Sequence, residues 1–87
     1  LFTIMTYFVY MIRSISSNKR KTYVGYTIDL KKRINLHNMN KGAKSTKGFK
    51  WKIIYKKKFS NKIDAMSYEY KLKRDRKKRD IIYNKSL

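Results

Sequence analysis

Residues 7–12 read Tyr-Phe-Val-Tyr-Met-Ile, an unbroken apolar and aromatic run in a chain where 33% of residues are charged. Such a run must be buried, yet it is far short of the roughly 20 apolar residues that span a bilayer. It predicts a strand covered on both faces, with other elements packed above and below it. The stretch 1–12 does not read as a signal peptide. It lacks a basic leading region and a small-residue cleavage site, and Arg13 follows at once. It is read instead as a buried strand. The natural start is expected at Met5, or at Leu1 through an alternative start codon.

The remaining elements are arranged around that strand. Ser14–Arg20 is a polar loop, and Lys21–Tyr26 returns as a second strand, antiparallel to the first. Asp29 is a good N-cap for a helix on which Leu30, Ile34 and His37 share one face. Asn38–Gly48 reads as a basic loop or a short broken helix, and Trp51–Phe59 as a third strand. Ser60 is expected to cap a last helix, with Phe59, Ile63, Met66 and Tyr70 as its apolar stripe. From Lys71 that helix runs on as a charged extension in which Asp75 and Arg79 are four apart. The fold class is therefore α+β: a small three-stranded antiparallel sheet flanked by helices, in the order β-β-α-(α)-β-α. Residues 5–74 form the domain and 75–87 a basic helical extension.

Charge narrows the partners. Twenty-four Lys and Arg face five acids, a net charge of +19 on 87 residues. So small a chain repels itself unless it meets a polyanion. Nucleic acid is the leading partner and an anionic membrane surface the lesser one. A lysine-rich codon bias contributes but does not explain the scarcity of acids. The chain has no cysteine, hence no disulfide framework and no thiolate zinc site; a reducing, cytoplasmic setting is expected.

Five side chains could carry chemistry. Tyr10 and Tyr23 lie on neighbouring strands, and Gly25 is expected to leave the face beside Tyr23 open to an approaching group. Tyrosines are also ordinary strand formers. Arg33 sits at the edge of a buried stripe, either as a snorkelling side chain or as a phosphate clamp. His37, the single histidine, lies one turn further on; a lone histidine is more often structural or a surface hydrogen-bonder than a ligand. Glu69 is the single glutamate. It is either half of an i, i+4 pair with Lys73 or a hard oxygen ligand for Mg²⁺.

Phe8-Val9-Tyr10 followed by Tyr23-Val24-Gly25, then Arg33, His37 and an Ala65-to-Glu69 "A-x-x-x-E" spacing, resembles the GIY-YIG nuclease domain. The similarity runs over about Tyr7–Arg74 and is strongest to the short subgroup that includes stand-alone bacterial domains and the catalytic half of a eukaryotic structure-specific endonuclease. Phe8 replaces the glycine of the first motif, and Tyr26 stands where the excision-repair branch has lysine. No following zinc domain or homing-type DNA-binding domain is present in this sequence. The resemblance implies Mg²⁺-dependent hydrolysis of a DNA phosphodiester, with Mn²⁺ as a substitute metal. Tyr10, Tyr23, Arg33, His37 and Glu69 would form the site, Glu69 would hold the metal, and Tyr23, or Tyr10 through it, would take the proton of water. Single-stranded, flapped or branched DNA is the expected substrate, with RNA not excluded and a monomer favoured. Lys32, Lys41, Lys44, Lys47, Lys71, Lys73, Arg74, Lys77 and Lys78 are the expected phosphate contacts. The competing reading is a non-catalytic nucleic-acid-binding protein whose aromatics stack on bases.

Overall fold

The computed structural model describes residues 5–87; the part of the first apolar stretch that falls on residues 1–4, and the start at Leu1, lie outside the described residues. β1 (Tyr7–Ser14), β2 (Thr22–Thr27) and β3 (Trp51–Phe59) form one antiparallel sheet in the order β2-β1-β3. The apolar run is thus the central strand, and β2 and β3 are both edges. Its side chains alternate between two cores. Val9 and Met11 join Val24, Ala65, Leu72 and Ile82 on one face. Tyr10 and Ile12 join Trp51, Tyr23, Leu30 and Ile34 on the other.

α1 (Leu30–Asn38) covers the Tyr10 face. Asp29 caps it by accepting from the Lys32 amide at 3.0 Å. It stops where Asn40 adopts a left-handed conformation, φ 62°, and Lys41 N–H reaches back to the Leu36 carbonyl at 2.8 Å. The following basic loop contains only one short 3₁₀ turn, Lys44–Thr46. Two side chains tie that loop down. Asn38 brackets the Trp51 backbone, accepting from its N–H at 2.6 Å and donating to its carbonyl at 3.2 Å. The Trp51 indole N–H donates to the Thr46 carbonyl at 2.9 Å.

The second face departs from the sequence expectation in three respects. α2 (Lys62–Arg74) is capped by Asn61, not Ser60; the Asn61 side chain accepts from the Asp64 amide at 2.8 Å. Its buried face is Ala65 and Leu72, with Tyr68 packed against the same core, while Ile63, Met66 and Tyr70 are exposed. Ala65 is the reason: a methyl group lets the helix backbone close on the sheet, which the longer stripe would hold away. The charged extension is also not a continuation of α2. The chain breaks at Asp75, which caps α3 (Arg76–Lys85) by accepting from the Lys78 amide at 3.0 Å instead of pairing with Arg79. Arg79 donates to the Leu72 carbonyl at 2.9 Å and to that of Lys73, sealing the end of α2. Ile82 is buried in the same core as Val9 and Met11. A register shift opposite Met11 and Ile12 turns both Ile54 and Tyr55 toward this face, where the Tyr55 and Tyr68 hydroxyls lie 2.6 Å apart. No helix among the described residues is long and apolar enough to cross a membrane.

Because α3 contributes to the core, Ile82→Ala is expected to cost about 2–5 kcal/mol of stability. Denaturant melts should show it as a lower midpoint with cooperativity retained. An unchanged midpoint would mean that α3 rides on the surface.

Candidate active site

The site is built on the central strand. Tyr10 projects from β1 opposite Gly25 of β2 and is only 2% exposed. The space at Gly25 is not open, as the sequence suggested; it is occupied by the end of Tyr10. A Cβ there would lie 2.6 Å from the Tyr10 hydroxyl and 2.8 Å from its Cζ. Gly42 does the same for His37, since a Cβ would lie 2.8 Å from the ring Cγ. Two glycines therefore let a phenol and an imidazole enter the interior side by side. Tyr23 completes the aromatic cluster, its ring centroid 5.1 Å from that of His37 and 6.4 Å from that of Tyr10.

A hydrogen-bond chain of fixed direction runs through these groups. The Ala43 carbonyl can only accept, so the Thr46 hydroxyl donates to it at 2.8 Å. Thr46 then has only lone pairs for His37 Nδ1, 2.9 Å away, so Nδ1 carries the proton and donates. Nε2 is left as an acceptor, and the Tyr10 hydroxyl donates to it at 2.9 Å. The Tyr10 oxygen in turn accepts Arg33 Nε–H at 3.3 Å. One backbone carbonyl thus sets the tautomer of the histidine and the direction of the tyrosine proton.

The electrostatics keep the chain in this state. Burial, and then the Arg33 charge, lower the His37 pKa to about 4, so the imidazole is neutral at physiological pH. Burial raises the Tyr10 pKa, with Tyr23 and Glu69 adding to the rise and Arg33 opposing it. The bond to Tyr10 is the main influence holding the proton on Arg33.

The expected residues are not all brought together equally. Tyr10, Tyr23, Arg33 and His37 form one cluster, but His37 is wholly buried behind Tyr10 and faces no solvent. It can act only through Tyr10. Tyr23 and Arg33 are half-buried and give the cluster its outer surface. Glu69 comes from the helix on the other face of the sheet. It is close enough to influence Tyr10, and its carboxylate is 3.4 Å from Lys73. Among the described residues no three His, Cys, Asp or Glu side chains converge. The nine expected phosphate contacts are all exposed. Lys32 lies with Arg33 along a shallow groove at the start of α1, and Lys41, Lys44 and Lys47 are on the loop that carries Thr46. Lys78 donates to the Tyr68 hydroxyl at 2.7 Å and Arg74 to that of Tyr70 at 2.5 Å. Sequence reasoning missed Thr46, Gly42 and the Ala43 carbonyl. Nothing in a small polar loop residue signals that it is fully buried.

The family model described as the GIY-YIG catalytic domain matches residues 6–84. The chain belongs to the GIY-YIG family. It is 40% identical over 68 residues to a UPF0213 protein of Oceanobacillus iheyensis, covering 77% of this chain and 76% of that one. It is 40% identical over 88 residues to the UPF0213 protein YsiG of Lactococcus lactis, covering 91% and 82%. The solution NMR structure of the UPF0213 protein BH0048 from Bacillus halodurans superimposes with a TM-score of 0.51 at 32% identity, over 92% of this chain and 84% of that one. Membership of the GIY-YIG family places the chain in a nuclease superfamily and makes nucleic acid its substrate class.

Two outcomes follow for the buried chain. Unfolded His37 takes up a proton near its ordinary pKa of about 6.5, whereas folded His37 does so only near 4. The stabilising effect is complete above the higher value and is lost as pH falls through the window to the lower one. Melting temperature should decline across that window, and as the chain has one histidine, His37→Gln should remove the upper part of the slope. Thr46→Val deletes the acceptor for Nδ1–H and should cost about 1–3 kcal/mol, whereas Thr46→Ser should restore both stability and tautomer. Nitrogen NMR shifts of the imidazole report the tautomer directly.

Proposed function

We propose that the chain is a metal-dependent endonuclease that hydrolyses a phosphodiester bond in single-stranded, flapped or branched DNA. The supporting observation is a half-exposed Tyr23–Arg33 pair held over an interior relay, on a chain of net charge +19.

Arg33 spends Nε on Tyr10, which leaves its terminal nitrogens for a phosphate oxygen. Tyr10 thereby orients the guanidinium and is itself oriented by His37. Its proton points inward, away from any substrate, so Tyr23 is the phenol at which a water proton leaves. The donor set fits Mg²⁺ or Mn²⁺: one carboxylate, Glu69, with the remaining positions left to phosphate and water. When bound, such an ion supplies Lewis-acid charge at the phosphate oxygens. Lys73 holds the Glu69 carboxylate otherwise. The basic loop and helix ends hold the backbone, so affinity should fall with salt by about 0.9 log units per log unit for each duplex phosphate contacted.

A cleavage panel of single-stranded, duplex, flapped and branched DNA, and RNA, with and without Mg²⁺, tests the reading. Glu69→Gln should abolish cutting while binding persists. Arg33→Ala should lower single-turnover rate on the order of 10²-fold, with Arg33→Lys a poor rescue. Tyr23→Phe should lower rate without changing the melt. Tyr10→Phe should lower both, because it leaves His37 Nε2 without a donor. Binding without cutting on every substrate would instead support the non-catalytic reading.

A further inference from the structure

α2 exposes three large apolar side chains: Ile63 at 79%, Met66 at 46% and Tyr70 at 59% of full accessibility. At 3.6 residues per turn, Met66, Tyr70 and Ile63 lie roughly 60°, 100° and 120° round the helix from Glu69. All three are on the side away from Leu72 and Tyr68, the residues that pack on the sheet. The ridge therefore begins where the candidate site ends. Cations border it: Lys62 and Lys73 lie between Glu69 and the ridge on the same helical map, and both are exposed. The Arg74 guanidinium lies against the Tyr70 ring, 5.3 Å from its centroid, and is bonded to its hydroxyl. More than half of Tyr70 remains exposed beside that contact, so its ring is accessible to another planar group.

We propose that the Ile63–Met66–Tyr70 ridge seats the bases of a nucleic-acid strand as it leaves the site. The inference rests on the nucleic-acid part of the reading above and not on hydrolysis. Charge complementarity selects this occupant: an apolar strip rimmed by lysine and arginine matches bases joined by phosphates. Two copies of a chain carrying +19 would repel each other across the same surface. Tyr70 supplies the stacking ring. Met66 and Ile63 are side chains of the kind that wedge against unstacked bases. Paired bases inside a duplex do not expose their faces, so the ridge should act on unpaired strands only.

The test uses the full chain with a single-stranded oligonucleotide carrying 2-aminopurine and with a blunt duplex, at matched salt. Ile63→Ser/Met66→Ser/Tyr70→Ser should bind the single strand about tenfold more weakly and lose the fluorescence change, with the melt and the duplex affinity unchanged. Tyr70→Phe should keep both signals, since it keeps the ring. The salt slope should not move, because no charge is removed. Equal loss on both oligonucleotides, no loss on either, or a sedimenting dimer that the triple variant abolishes would each overturn the proposal. Cleavage measured in parallel separates the two readings. If the chain binds through the ridge but never cuts, hydrolysis falls and the ridge stands. If the triple variant binds and cuts single strands like the wild type, the ridge falls and hydrolysis stands.

Discussion

The hydroxyl of Tyr10 accepts a hydrogen bond from Arg33 and donates one to His37, and the arrangement of the chain around it follows from making that double contact possible. Burial of the imidazole keeps the histidine neutral, and the tyrosine that covers it sits on the central strand. A residue opposite must vanish to make room, hence Gly25. The histidine needs a donor-accepting neighbour on its far nitrogen, hence a loop folded under it with Thr46 at its turn. Asn38 and Trp51 exist in this picture as the clamp that keeps the loop there. A buried polar chain of this kind is stable only when every member is satisfied, and here the last acceptor is a backbone carbonyl that no side-chain substitution can alter.

Much of this was legible because it obeys short periods. The apolar and aromatic runs put Tyr10 and Tyr23 on neighbouring strands, though only the pairing register shows that they share a face, and a four-residue step put Arg33 and His37 on one side of α1. Asp29 announced the helix start, and Trp51 and Phe59 mark the ends of β3 as read. Thr46 was not legible, because its importance comes from an indole and an imidazole distant in sequence. Gly25 was seen but misjudged: strand register, which decides what faces it, is not written locally. α2 carries two apolar stripes, one through Ala65 and Leu72 and one through Ile63, Met66 and Tyr70. Periodicity cannot choose between them; the small side chain that permits close approach does. The break at Asp75 was hidden for a similar reason, since the same carboxylate suits an ion pair within one long helix or the cap of a second.

The charge distribution divides into cations that are committed and cations that are free. Lys78 and Arg79 fasten α3, and Arg20 reaches Asp80 at 2.6 Å, so part of the basic tail is structural. Lys32, beside Arg33 on α1, and Lys41, Lys44 and Lys47 on the loop after it are all exposed. A chain with so few acids cannot neutralise itself. Its tertiary structure is therefore held by apolar packing and by hydrogen bonds to neutral acceptors, with only two ion pairs among the described residues.

A three-stranded sheet has as many edges as a hairpin and only one strand that is protected on both sides. β3 is an edge, and its exposed run Lys56-Lys57-Lys58 is placed where a second copy would have to dock to extend the sheet. Each backbone pairing across that edge would bring like charges within a few ångströms of one another, without room for counterions. The same lysines that make the chain basic thus guard it against fibrous self-association. That protection has a condition: a polyanion that neutralised the strand without covering its backbone would remove the barrier, so sub-stoichiometric nucleic acid is the circumstance in which this protein would be most prone to precipitate.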